Sequence, residues 1–434
     1  MDYLSRFGPF SRPRWHVPVV PMLYPQSQPQ PRPKREDEDV FIPPHHSEFG
    51  LEDPVEDEEG GFEYEEQDHQ RRRVEEAVDY DLEVEEHYEE EEEEAPRHVP
   101  PPQQRNMQQE IPWSDVLAQD STLHKLRPYS YRPSKGNWKH VAISSFPSGR
   151  GLYDRDLKRP CTQLRIITWN IDYMSDRHEE RLDEALRYIE EDVLRSKEDG
   201  EPEPCCILLQ EVHAKVLPYL LRNEWIQRWF MVTPIEPRRW PEGQDYGNVT
   251  LVARSLDVTE CFILHYGPSV MGRTAICVNV KLTFPGTDDK AVVAVVNTHL
   301  ESLPPGGAVR PKQLDLCSRF LRRTGIHGGV IAGDMNAILP VDATIGKRLE
   351  LKDSWRKGDI EIGNTWGYQG NDGFPNGRLD KVFYLPGMGY KVDEPKRIGV
   401  GLKIRGNSES ALWVSDHYGL DTTLRMLKPR SNSS

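Results

Sequence analysis

The chain has 434 residues, 36 % of them apolar, and a formal net charge of −16. That apolar share is low for a chain folded throughout, so part of the length is expected to lie outside any core. No run approaches the roughly 20 apolar residues of a membrane helix, so a helical spanning protein is excluded and no membrane partner is expected.

Met1 to Tyr24 carries Arg and Pro where a secretory segment needs a continuous apolar stretch, so no signal peptide is expected. Between Glu36 and Glu94 there are 28 acidic residues against Arg71, Arg72 and Arg73, a local net of −25 that ends in six consecutive glutamates. The segments on either side are basic, and Pro/Gln stretches bracket the block. Residues 1–130 are therefore expected to be disordered, because so little apolar surface cannot offset a backbone entropy of about 1–2 kcal/mol per residue. Two readings of the acidic block stay open. It is a solvated tail, or it is an interaction or autoinhibitory segment, with a basic protein as its partner. Residues 131–163 read as a linker or docking arm, 164–428 as one folded domain, and 429–434 as a disordered tail.

From Leu164 the pattern changes. Leu164 to Trp169 reads as a buried strand, and His178 to Lys197 has Leu182, Leu186, Ile189 and Val193 at helical spacing. A short strand is expected at Cys205 to Leu209, then a helix over Val212 to Gln227. Further strands are predicted at Val249–Ala253, Glu260–His265, Ala275–Thr283, Ala291–Asn297, Val330–Ala332, Lys381–Tyr384 and Gly419–Arg425, with a helix at Pro311–Arg323. Thr274 to Leu282 alternates with period two, so that strand should have two different faces. The composition of elements is mixed α/β. Six cysteines without a CxxC pair, most in apolar strands, read as reduced thiols of a cytosolic or nuclear chain.

Several of these strands end in polar clusters: Trp169-Asn170-Ile171-Asp172, Gln210-Glu211, His299-Leu300-Glu301-Ser302, Asp334-Met335-Asn336 and Ser415-Asp416-His417. Strand ends on one edge of a sheet converge, so the clusters can share a pocket. Carboxylates without thiolates suit Mg²⁺, with Mn²⁺ as the alternative. Imidazoles and amides complete the parts for attack of water on a phosphodiester. The chain has no GxxxxGK[ST], GxGxxG or GxSxG pattern, which removes support for nucleotide-driven transfer, Rossmann redox chemistry and serine hydrolysis.

The ordered set TWN, LQE, NTHLES, GDMN and SDH resembles the endonuclease/exonuclease/phosphatase superfamily, and within it most closely the tyrosyl-DNA phosphodiesterase 2 enzymes, over about Leu164 to Met426. The resemblance implies a four-layered α/β sandwich, two packed mixed sheets flanked by helices, and a Mg²⁺-dependent hydrolase. It implies Glu211 as main metal ligand with Asp172 as a second acidic contact. Asp334 would activate the attacking water, Asn170 and Asn336 would orient water and phosphate, and His417 would stabilise the reacting phosphorus with its tautomer held by Asp416. His299 and Ser302 are expected to contact phosphate or the first nucleotide. Arg273, Tyr246, Trp355 and Trp366 are expected to line a DNA groove. Asp380 is read as a buried partner that orients a site histidine or asparagine.

The sequence departs from the family after HLES. Leu303-Pro304-Pro305-Gly306-Gly307 stands where an arginine is usual, and Arg310 is the candidate to compensate. The resemblance implies removal of 5′-phosphotyrosyl adducts from DNA by a monomeric nuclear enzyme, with the cytoplasm as the alternative location. Another nuclease or phosphatase of the superfamily, or an inactive interaction protein, remain the competing readings.

Overall fold

A computed structural model describes residues 120–143, 160–196, 200–267, 269–356, 358, 360–370, 373–404 and 412–429. The acidic block, the helix considered over Val74 to Glu94 and the final residues 430–434 lie outside them. In chain order the strands are β1 (Thr122–Lys125), β2 (Tyr129–Arg132), β3 (Asn137–His140), β4 (Gln163–Asn170), β5 (Cys205–His213), β6 (Phe230–Thr233), β7 (Tyr246–Ala253), β8 (Asp257–His265), β9 (Thr274–Thr283), β10 (Lys290–His299), β11 (Gly329–Asp334), β12 (Lys352–Asp353), β13 (Asp380–Tyr384), β14 (Tyr390–Val392), β15 (Lys396–Ile398) and β16 (Gly419–Met426). The helices are α1 (His178–Tyr188), α2 (Leu217–Leu220), α3 (Glu224–Trp229), α4 (Arg310–Arg322), α5 (Ile345–Arg348) and α6 (Ile360–Gly363). No helix among the described residues is long and apolar enough to cross a membrane.

The strands form two mixed sheets. One runs β1-β8-β9-β10-β11-β13-β12; the other runs β14-β16-β4-β5-β7-β6-β2-β3, with β15 also paired to β16. Each has one parallel pair near its middle, β4 with β5 and β10 with β11, and its other pairs are antiparallel. Alternation along the strands decides what lies between the sheets. Ile166, Val293, Val295, Ile276, Val278, Val330 and Val382 share one apolar core. On the opposite face of β9 to β13, Cys277, Ala294, Val296, Ile331 and Phe383 pack beneath Leu314, Cys317, Phe320 and Leu321 of α4 in a second core. The two faces expected of β9 are real, and both are buried. This is the two-sheet, helix-flanked architecture that the motif resemblance implies.

Polar groups also cross between the sheets. Gln210 Nε2 donates to Asn297 Oδ1 at 2.8 Å, while Asn297 Nδ2 donates to Leu209 O and Val249 O at 3.2 and 3.0 Å. Asn297 is fully buried, so Asn297→Ala strands several groups at once. A loss of about 1–3 kcal/mol is expected, read as a lower urea midpoint at unchanged slope; an unmoved midpoint would contradict it. All six cysteines are free thiols, five of them buried.

Three sequence expectations change. The folded unit reaches further toward the N-terminus than Leu164: β1 pairs with β8 inside a stretch read as disordered, and β2 pairs with β6 at the start of the stretch read as a linker or docking arm. These are short strands at or near sheet edges, β1 and β3 mostly exposed and β2 half-buried, so composition hides them. The helix expected over Val212 to Gln227 is instead the end of β5 followed by the short α2 and α3. Arg310 does not reach toward a substrate. It is fully buried, paired to Asp342 at 2.7 Å, and donates to the carbonyls of Glu301 and Leu303.

Candidate active site

The two parallel pairs end on the same side of the sandwich, and their last inward-facing positions are polar. His299 at the end of β10 is in register with Asp334 at the end of β11, and Asp334 with Asp380 at the start of β13. Register thus lays three ionisable side chains in one row across adjacent strands. Asn170, the last residue of β4, closes over the row from the other sheet and donates from Nδ2 to Asp334 Oδ2 at 3.1 Å. Two backbone features sharpen the geometry. Gly333 has φ +143°, and a Cβ there would lie 1.8 Å from Thr298 O, so only glycine lets β11 approach β10 at this point. Glu211 has φ +57° and sits where the register of β5 against β7 shifts, a bulge that re-aims its side chain.

Asp334 is the hub. It is 1 % exposed, its Oδ1 accepts the Asn336 backbone N–H at 2.8 Å, and its Oδ2 lies 3.2 Å from His299 Nε2 and 3.9 Å from His417 Nε2. Burial pushes its carboxyl up, but the His417 charge and the His299 hydrogen bond outweigh that and hold it well below the usual carboxylate range. His417 responds in the opposite sense. Burial disfavours its charge, yet Asp380, Asp416 and Asp334 together raise it well above the ordinary histidine value. Its Nδ1 lies 2.8 Å from Asp380 Oδ2. Ser415 Oγ donates to Asn170 O at 2.6 Å and accepts the His417 backbone N–H at 3.0 Å, which fastens the last motif to the first.

Glu211 faces this row. Its Oε2 accepts the Tyr173 backbone N–H at 3.1 Å, and its Oε1 lies 3.7 Å from His299 Nε2. Burial raises its carboxyl to about 7, against the nearby Arg273 charge. Ligand atoms of Glu211, His299 and Asp334 lie within 4.8 Å of one another, so the cluster can hold a metal ion. Its two carboxylates, with no thiolate, fit a hard divalent cation such as Mg²⁺.

Several expected roles move. Asp172, expected beside the metal, is held in a local turn: it has φ +54°, its Oδ1 accepts the backbone N–H groups of Met174 and Ser175, and its Oδ2 pairs with Arg181 at 3.0 Å. Asp416 does not hold the His417 tautomer. It accepts the Trp366 indole N–H at 2.8 Å, and Asp380 takes the place against Nδ1. Asn336 spends its amide on Leu300 O and on the Ser302 hydroxyl, and acts on Asp334 through its backbone. Ser302 is thereby a partner of Asn336. Tyr246 stacks on Tyr173 at 3.8 Å with Arg273 over its ring, beside Glu211. Trp366 bridges to the backbone of His417. Trp355 packs over Gly363 and shares no hydrogen bond or ring contact with the cluster. Sequence reasoning missed Tyr173, whose role is a backbone N–H, and Arg181, whose helical position gave no sign of a buried partner. A cavity of about 690 Å³ between α1 and Lys215–Tyr219 holds none of the candidate residues.

No protein-family model matches the chain, and no curated protein does. Solved structures are similar to it in part. D. rerio TDP2 complexed with a single-strand DNA product is 19 % identical, with 61 % of this chain and 100 % of that one covered and a TM-score of 0.47. A truncated Caenorhabditis elegans TDP2 is 21 % identical, with 61 % and 97 % covered and a TM-score of 0.46. A Bacteroides thetaiotaomicron protein of the endonuclease/exonuclease/phosphatase family is 16 % identical, with 61 % and 98 % covered and a TM-score of 0.44.

Proposed function

We propose that this protein is a divalent-cation-dependent phosphodiesterase that acts on DNA 5′ ends, and that the ester it opens is a 5′-phosphotyrosyl linkage to protein. The observation that carries the reading is the in-register row His299, Asp334 and Asp380, closed by Asn170, Glu211 and His417. Glu211 would hold the divalent cation, which when bound would supply positive charge to polarise the phosphoryl oxygens. His417, kept charged by its carboxylate neighbours, donates a hydrogen bond to the oxygen on which negative charge develops. Asp334 accepts a hydrogen bond from the attacking water and orients it, with its rotamer fixed by Asn170 and the Asn336 backbone. The motif resemblance supports the DNA 5′ end. The Tyr173–Tyr246 stack beside Glu211 offers an aromatic surface for an unstacked base or a tyrosyl leaving group. A DNA substrate would place the protein in the nucleus.

The test is a side-by-side assay on 5′-phosphotyrosyl, 3′-phosphotyrosyl, abasic and poly(A) oligonucleotides with Mg²⁺ and with EDTA. Cleavage of the 5′-phosphotyrosyl substrate in Mg²⁺ is expected, and activity confined to poly(A) would replace the DNA reading by an RNA one. Glu211→Ala is expected to raise the Mg²⁺ needed for half-maximal rate. Because burial lifts the Glu211 carboxyl to about 7, proton and cation compete for it, and the wild-type Mg²⁺ requirement should rise as pH falls below about 7. A requirement that is flat with pH, or unchanged in Glu211→Ala, would contradict its place as ligand.

A further inference from the structure

Two imidazoles flank the same carboxylate oxygen, Asp334 Oδ2, and they are backed by opposite charges. Behind His417 stands Asp380, against Nδ1. Behind His299 stands Arg273, whose Nη1 lies 2.8 Å from His299 Nδ1. A guanidinium has only donors, so the contact requires Nδ1 to present its lone pair. An imidazole with a free Nδ1 carries its proton on Nε2, and Nε2 is the atom that faces Asp334 Oδ2 and Glu211 Oε1. Taking the phosphodiesterase reading as its premise, we propose that Arg273 fixes His299 as the Nε2–H tautomer, so that His299 serves as a hydrogen-bond donor from Nε2 to a phosphoryl oxygen and does not ligate the cation.

Arg273 is itself held in place for this. Its backbone N–H donates to Ser269 Oγ at 2.8 Å, and Ser269 Oγ donates to Glu301 Oε2 at 2.6 Å. The other oxygen of Glu301 accepts the backbone N–H groups of Val270 and Met271 at 3.0 and 3.1 Å. Glu301 lies two residues after His299, and Gln313 of α4 donates to its Oε2. The loop that carries Arg273 is thus anchored to the segment that carries His299, and its guanidinium closes back onto the imidazole under the Tyr246 ring. Arg273 is a positioning residue in this arrangement, and it does not line an open DNA groove: it is buried.

The test labels histidine with ¹⁵N in the full chain and reads the tautomer by long-range ¹H–¹⁵N correlation, assigning His299 by its loss in His299→Gln. The proton is expected on Nε2. Arg273→Met should move part or all of it to Nδ1, and Arg273→Lys, which keeps a donor, should hold it on Nε2. In single-turnover cleavage, His299→Gln, whose amide N–H replaces Nε2–H, is expected to stay within about tenfold of wild type, while His299→Ala falls by about 10²-fold. A wild-type proton on Nδ1, an unaltered tautomer in a folded Arg273→Met, or equal rates for the Gln and Ala variants would each overturn the proposal. The spectroscopic arm needs no substrate, so it stands or falls apart from the phosphodiesterase reading.

Discussion

Replacing Asp334 by alanine is expected to lower the rate of phosphodiester cleavage by at least about 10²-fold while the fold persists, because it removes the acceptor proposed to orient the attacking water. The size of the effect follows from the number of groups that converge on it. Asn170, His299 and the Asn336 backbone all address the Asp334 carboxylate, and His417 stands 3.9 Å from the same oxygen. Alanine leaves those groups without their common partner and leaves His417 with one fewer neighbouring negative charge. Asp334→Asn keeps the shape and removes the charge, so it separates the two contributions. Single-turnover rates beside thermal midpoints check the claim. A rate within tenfold of wild type in a folded Asp334→Ala would mean the water is oriented elsewhere.

His417→Ala should cost at least about 10²-fold as well, through loss of the charged donor to the developing oxyanion. Here the neighbours make a finer statement. Asp380 lies against Nδ1, and its charge helps keep the imidazole protonated, so Asp380→Asn is expected to reproduce a large part of the loss. The sign of its pH effect follows from the raised His417 value. Activity needs the protonated ring, so the rate falls as pH rises through the His417 pKa, and removing the Asp380 charge moves that alkaline limb to lower pH. Asp416 also contributes charge, but its carboxylate is committed to the Trp366 indole, so Asp416→Asn should shift the limb less. Equal shifts for the two variants would contradict the assignment of Asp380 as the partner of His417.

The contrast between Asp380 and Asp416 marks where sequence reading stops. Asn170, Glu211, His299 and Asp334 are legible because each follows or closes an apolar run of a strand. The in-register row was not legible, since nothing in the chain tells that β11 pairs in parallel with β10 and antiparallel with β13. Adjacency suggested Asp416 for His417, but the Asp416 carboxylate is taken by the Trp366 indole and the partner is Asp380, 37 residues away, which the sequence offered only as a partner of some site histidine or asparagine. Asp172 misled for the reverse reason. A carboxylate two residues past Asn170 looks like a ligand, but its left-handed backbone and the Arg181 guanidinium commit both oxygens locally. β1 to β3 were not predicted as strands, although 131–163 was read as a linker or docking arm, because edge strands with exposed Lys, His and Asn carry little apolar signal.

The central claim is that amide, acid and imidazole groups from both sheets form one hydrolytic centre for a phosphodiester. It is tested most directly by single-turnover cleavage of a 5′-phosphotyrosyl single-stranded oligonucleotide, run in Mg²⁺ and in EDTA, with the wild type and with Asp334→Ala. Release of tyrosine and a 5′-phosphate end in Mg²⁺, abolished by EDTA and reduced at least about 10²-fold in the variant, is the expected result. Cleavage that persists in EDTA, or that the variant performs at the wild-type rate, would contradict it.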